Sequence, residues 1–99
     1  MRRGTTPTNV FQTDTDLTEA DVIYITYEQD GNVVFEKTGD DIEVTEQELR
    51  VKLTQEETLG LNPNHVVRMQ IRAKFGDGTA IASQLMTTSV HDILKGGII

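Results

Sequence analysis

Residues 67 to 88 read VRMQIRAKFGDGTAIASQLMTT, and no other stretch limits the possible folds of this chain so tightly. Val67, Met69, Ile71, Ala73 and Phe75 alternate with Arg68, Gln70, Arg72 and Lys74. A period of two with one apolar and one charged face is a half-buried β-strand; a helix would scatter the same charges around its axis. The turn then selects the register of the partner strand. A loop of even length pairs Phe75 with Ala80 and turns Ile81 and Leu85 towards the arginines. A three-residue loop, Gly76-Asp77-Gly78, pairs Phe75 with Thr79, Ala73 with Ile81 and Met69 with Leu85, which keeps the aliphatic residues together. Gly78 is expected in the left-handed conformation that closes such a bulged turn.

A second hairpin is predicted upstream. VIYITY at 22 to 27 and NVVFEK at 32 to 37 are rich in β-branched and aromatic residues and flank Asp30-Gly31. The same parity test favours a loop Gln29-Asp30-Gly31, with Tyr27 opposite Val33 and Ile25 opposite Phe35, and makes Gly31 the structural glycine of that turn. Asn9 to Thr13 reads as a first strand, with Asp16-Leu17-Thr18 as a corner that plugs Leu17 into the core. Ile42 to Val44 reads as a short strand, and Leu49, Val51 and Leu53 alternate with Arg50, Lys52 and Thr54 along a longer one. Thr54-Gln55-Glu56-Glu57 has the spacing of a capping box, and Gly60 stops a single helical turn. About seven short strands with one short helical turn, in 99 residues, describe one all-β domain: an immunoglobulin-like β-sandwich spanning 1–99, with 91–99 as an apolar C-terminal tail.

Composition removes several classes of function. Without cysteine there is no disulfide framework, thiolate metal site or cysteine nucleophile. Sixteen acidic against nine basic residues give a net charge of -7, which repels phosphate backbones and anionic bilayers, so neither nucleic acid nor membrane is expected as a partner. Met1-Arg2-Arg3 leads into Gly-Thr-Thr-Pro and not into an apolar run, so neither a signal peptide nor a transmembrane segment is expected.

Catalytic chemistry finds little support. His65 and His91 lie far apart, and Ser83 and Ser89 sit in no glycine-flanked nucleophile elbow, so no catalytic residue is assigned. The acidic groups Asp14, Asp16, Glu19, Asp21 and Asp40, Asp41, Glu43 lack the spacing of a calcium loop and read as solvated corners, so no metal or cofactor is assigned. Two features remain for partner binding. Arg68, Arg72 and Lys74, with Arg50 and Lys52, form a basic outer face in an acidic protein; it serves either as a docking patch or as protection of sheet edges, and it splits in two if the strands lie in different sheets. Ile93, Leu94, Ile98 and Ile99 load the chain end with aliphatic residues that either fold back or reach a neighbour.

The order of Asp16-Leu17-Thr18-Glu19-Ala20 before a strand, an Asp-Gly hairpin, LTQEET at 53 to 58 and FGDGTAIAS at 75 to 83 resembles the N-terminal immunoglobulin-like module of phage baseplate upper proteins and related short prophage-encoded proteins. The resemblance covers about Asp16 to Val90. It implies a non-enzymatic structural or assembly component of a phage or prophage tail or baseplate, without cofactor, found in the host cytoplasm during assembly and then in the virion. Its implied partners are other phage structural proteins and itself, as a homo-oligomer. In those proteins further domains follow the module, so a chain without them would attach through its own surface. The alternative is a phage-encoded binding module that engages a host defence protein or a surface glycan; with Tyr27, Phe35 and Phe75 assigned to the core, Tyr24 is its main aromatic.

Overall fold

A computed structural model describes all residues from Met1 to Ile99. Eight strands form two antiparallel sheets: β1 (Thr8–Gln12), β2 (Val22–Gln29), β3 (Asn32–Thr38), β4 (Ile42–Val44), β5 (Glu48–Lys52), β6 (Val67–Lys74), β7 (Ala80–Ala82) and β8 (Met86–Thr88). One sheet has the order β1-β5-β4; the other has the order β3-β2-β6-β7, with β8 also pairing β6. These are the places of strands B, E and D in one sheet and C′, C, F and G in the other, so the connectivity is that of an immunoglobulin-like sandwich. The final strand is interrupted, which raises the count from seven to eight.

Alternation decides which side chains enter the core. Phe11, Leu49 and Val51 from one sheet, with Leu53 just past β5, meet Ile23, Ile25, Tyr27, Val67, Met69, Ile71 and Ala73 from the other, all buried. Leu17 is buried as its corner requires, with Asp16 Oδ1 accepting from the Thr18 backbone N–H at 2.9 Å. The capping box is present: Thr54 Oγ1 accepts from the Glu57 N–H at 3.1 Å and the Thr54 N–H donates to Glu57 at 2.9 Å, opening helix α1 (Gln55–Leu59).

The second hairpin forms with the expected turn. The Phe75 N–H donates to Thr79 O at 2.8 Å, Ala73 lies opposite Ile81, and Gly78 has φ +90°. Beyond Ala82 the register departs from expectation: Met69 faces Met86, not Leu85, and Leu85 is 53% exposed. Ser83 causes the slip. Its hydroxyl accepts from the Ile71 N–H at 2.9 Å while its own N–H donates to Ile71 O at 2.8 Å, so one residue closes both halves of a ladder step and the chain bulges before β8.

The first hairpin corrects the parity reading outright. Its loop has two residues, Asp30 (φ +53°) and Gly31 (φ +85°), with Gln29 opposite Asn32. This is the turn whose twist matches antiparallel strands, and Gly31, the structural glycine assigned to it, takes the left-handed conformation. Parity is restored by a bulge at Val34: Glu28 faces Val33, Tyr27 faces Phe35 and Ile25 faces Lys37. Tyr27 and Phe35 consequently stack, with ring centroids 4.4 Å apart, and Lys37 enters the interior.

Candidate functional site

The two sheets separate the basic residues. Arg50 and Lys52 leave β5 on one sheet, Arg68, Arg72 and Lys74 leave β6 on the other, and no continuous basic face forms. Arg68 is paired with Glu28, its cross-strand neighbour, whose carboxylate also accepts from the Gly31 N–H at 2.6 Å. Those two hydrogen bonds, that from Arg68 first, hold Glu28 below the ordinary carboxylate range. Arg50 pairs with Glu48 at 2.6 Å. Arg72 and Lys74 make no ion pair, and Arg72 lies opposite Tyr24, which is 42% exposed.

The side chains of Ser83 and His65 are engaged structurally. Ser83 holds the bulge, and its hydroxyl donates to Gln84 O at 2.9 Å. His65 meets a carboxylate that its sequence neighbourhood does not contain: Nδ1 lies 2.8 Å from Asp30 Oδ2 across two exposed loops. Beneath it, buried Gln29 donates to Asn62 O at 3.0 Å and accepts from the Asn62 N–H at 2.8 Å, which fastens the loop after α1 to β2. The acidic corners bring no three potential metal ligands together.

One charged pair lies inside. Lys37 Nζ donates to both Glu57 oxygens, at 2.9 and 3.0 Å, and Lys37 is 5% exposed. Burial pushes the Glu57 carboxyl up, but the hydrogen bonds from Lys37 and Thr54 and the charge of Lys37 outweigh it and leave the group below its ordinary value. Burial, then the charge of Glu57, raises the Tyr27 phenol; its hydroxyl donates to Asn9 Oδ1 at 2.6 Å. Sequence reading missed this pair because the partners come from strand and helix 20 residues apart.

The chain termini meet. The Met1 ammonium donates to Ser89 O at 2.7 Å, Arg2 bridges His91 in parallel, and the His91 and Arg3 N–H groups close the ladder. Arg3 donates to Leu61 O, Leu59 O and Asp92 at 2.7 to 2.9 Å, a three-way clamp over the end of α1. The arm at 93–99 starts on this clamp. Ile93 is half-buried and reaches so close that a Cβ on Gly4 would stand 2.7 Å from its Cδ1. The backbone of Ile99 is held by the Gln55 amide, at 2.9 and 3.1 Å. The side chains do not follow: Leu94 is fully exposed, Ile98 65% and Ile99 86%. Of the four aliphatic residues assigned to partner binding, three therefore face solvent and one packs in cis.

The opposite end carries an open groove of about 550 Å³ between the end of β1 and the β7–β8 bulge. Leu17, Ile71, Ile81 and Met86 give it an apolar floor, and Asp14 is its one charged lining residue. Thr13 stands at its wall with a buried hydroxyl that has no hydrogen-bond partner. In the sandwich described above a strand A would run between B and G; here residues 1–3 line the far half of the last strand and no strand pairs with the near half on that side.

No family model and no curated protein matches this chain. Among solved structures it is similar to the V domain of amphioxus IgVJ-C2, with 13% identity and a TM-score of 0.38 over 94% of this chain and 97% of that one.

Proposed function

We propose that this protein is a non-enzymatic assembly component that works through protein–protein contacts, as part of a phage or prophage tail or baseplate. The observation that carries the reading is the arm: Leu94, Ile98 and Ile99 stand in solvent next to a tightly bonded terminal clamp, on a chain whose other large aliphatics are mostly in the core. A surface of that kind is kept for a partner. The order of the motifs between Asp16 and Val90, similar to that of baseplate modules, supplies the setting. No helix is long and apolar enough to cross a membrane.

Light scattering on the purified chain at micromolar concentration, with co-migration tests against the tail proteins of the same phage or prophage, checks the reading. Oligomers or mixed complexes are expected, and deletion after Asp92 should abolish both while leaving a folded monomer. A full-length monomer that joins no tail protein ends the proposal. Tyr24 beside the unpaired Arg72 favours a second reading, a module binding an acidic host protein or a glycan. In that case Tyr24→Ala and Arg72→Ala abolish binding and the arm deletion does not.

A further inference from the structure

We infer that the groove beside β1 receives the arm of a second copy of this chain, which adds the strand that the sandwich leaves out; the inference rests on the assembly reading above and names the contact. Both walls are free sheet edges. β1 pairs only with β5 and β7 only with β6, so the backbone facing the gap on either side is available to an incoming extended segment. The floor takes aliphatic side chains, and residues 93–99 offer them. Charge agrees: Asp14 is the one charged residue of the groove and Lys95 the one charged residue between 93 and 99.

The chain's own arm is engaged at the other end. The strands place Ile93 beside α1 and Ile81 beside the Gly76–Gly78 turn, at opposite ends of a body 48 Å long. At the α1 end the Gln55 amide holds the backbone of Ile99, at 2.9 and 3.1 Å, so the arm lies along its own α1 and not towards β7. With that backbone held and their side chains in solvent, residues 98 and 99 are presented to a groove on another molecule. Because donor and acceptor are different surfaces at opposite ends, the contact is heterologous and propagates head to tail, giving a ring if the rotation closes and a filament if it does not. Copies of charge -7 repel each other, so apolar seating drives the association and added salt strengthens it.

Two complementary defects in the full-length chain test this. Ile98→Asp with Ile99→Asp spoils the arm and leaves the groove; Ile81→Glu spoils the groove and leaves the arm, with Gln84→Trp at the exposed rim as a second groove variant should Ile81→Glu fail to fold. Each alone is expected to be monomeric by light scattering at concentrations where the parent is oligomeric, and an equimolar mixture of the two classes is expected to form a one-to-one dimer and nothing larger. A parent that oligomerises while the mixture stays monomeric, or groove variants that assemble as the parent does, overturns the inference and leaves the assembly reading intact. A monomeric parent that still joins tail proteins also overturns it without touching that reading, and a monomeric parent that joins none ends both.

Discussion

The two ends of the sandwich are built on different terms. At the α1 end, Arg3 caps two carbonyls and an aspartate, Gln29 ties down a loop, Lys37 reaches Glu57, and the first residues lie along the last strand. At the Gly76–Gly78 end, β1 and β7 stop at unpaired edges around an apolar groove, and a threonine hydroxyl is buried with no partner. The difference shows where a small domain can leave its core uncovered. With one end closed by charge-assisted hydrogen bonds and the central strands filled by Ile25, Tyr27, Leu49 and Val51, the other end does not have to be closed for the fold to hold.

The sharpest way to break the closed end is through its buried charge. Glu57→Ala leaves Lys37 charged and unpaired in the interior and opens the capping box, which should cost about 3 kcal/mol or more, while Lys37→Met with Glu57→Leu should recover a large part of that loss. Urea denaturation of both variants checks the order. Acid should act on the same pair. Glu57 titrates below its ordinary value of 4.5 in the fold, so the stability it contributes is present above that value and is lost as pH falls through the depressed one. The melting temperature should fall from about pH 5 downwards, and the double variant should show a shallower decline.

The turns give a smaller effect at the open end. Gly78, at φ +90° with open space where a Cβ would be, should lose about 1 to 2 kcal/mol as Gly78→Val, from backbone strain alone. Asp77→Ser should be mild, since serine can also accept from the Thr79 N–H that Asp77 Oδ1 now bonds at 2.8 Å. Equal melting temperatures for the two variants would remove the strain argument.

What the sequence disclosed follows the same division. The strands, the capping box, the Leu17 corner and the Gly78 register were readable because each is set by residues within a few positions of one another. The first hairpin was misread because Val33 and Val34 are both apolar: a bulge between two such residues leaves no mark on a two-letter pattern, and parity arguments assume there is none. Leu85 was misplaced because Ser83 replaces a ladder bond with its side chain. Lys37, Arg3 and the His65–Asp30 contact depend on partners 20 to 89 positions away, which no local spacing encodes. Of the assigned partner residues, the arm was recognisable as an aliphatic cluster in a polar context. The groove was not, since it consists of what two sheet edges fail to cover.

Thr13 offers the finest test of the contrast between the ends. Its hydroxyl is desolvated without a hydrogen bond, so Thr13→Val, which keeps the branched shape and removes the polar atom, should raise the stability of the isolated chain by about 1 kcal/mol or less. If the groove is only a gap in the packing, nothing further follows from the substitution. If an incoming strand fills it, the hydroxyl stays out of that strand's reach, because an atom closed to water is closed to a neighbouring N–H as well, and the assembled state gains the same stabilisation. The variant should then melt higher as a monomer and associate with an unchanged dissociation constant, when both are measured on one preparation by calorimetry and concentration-dependent light scattering. Weakened association would show instead that the open end loosens on assembly and brings the hydroxyl into the contact.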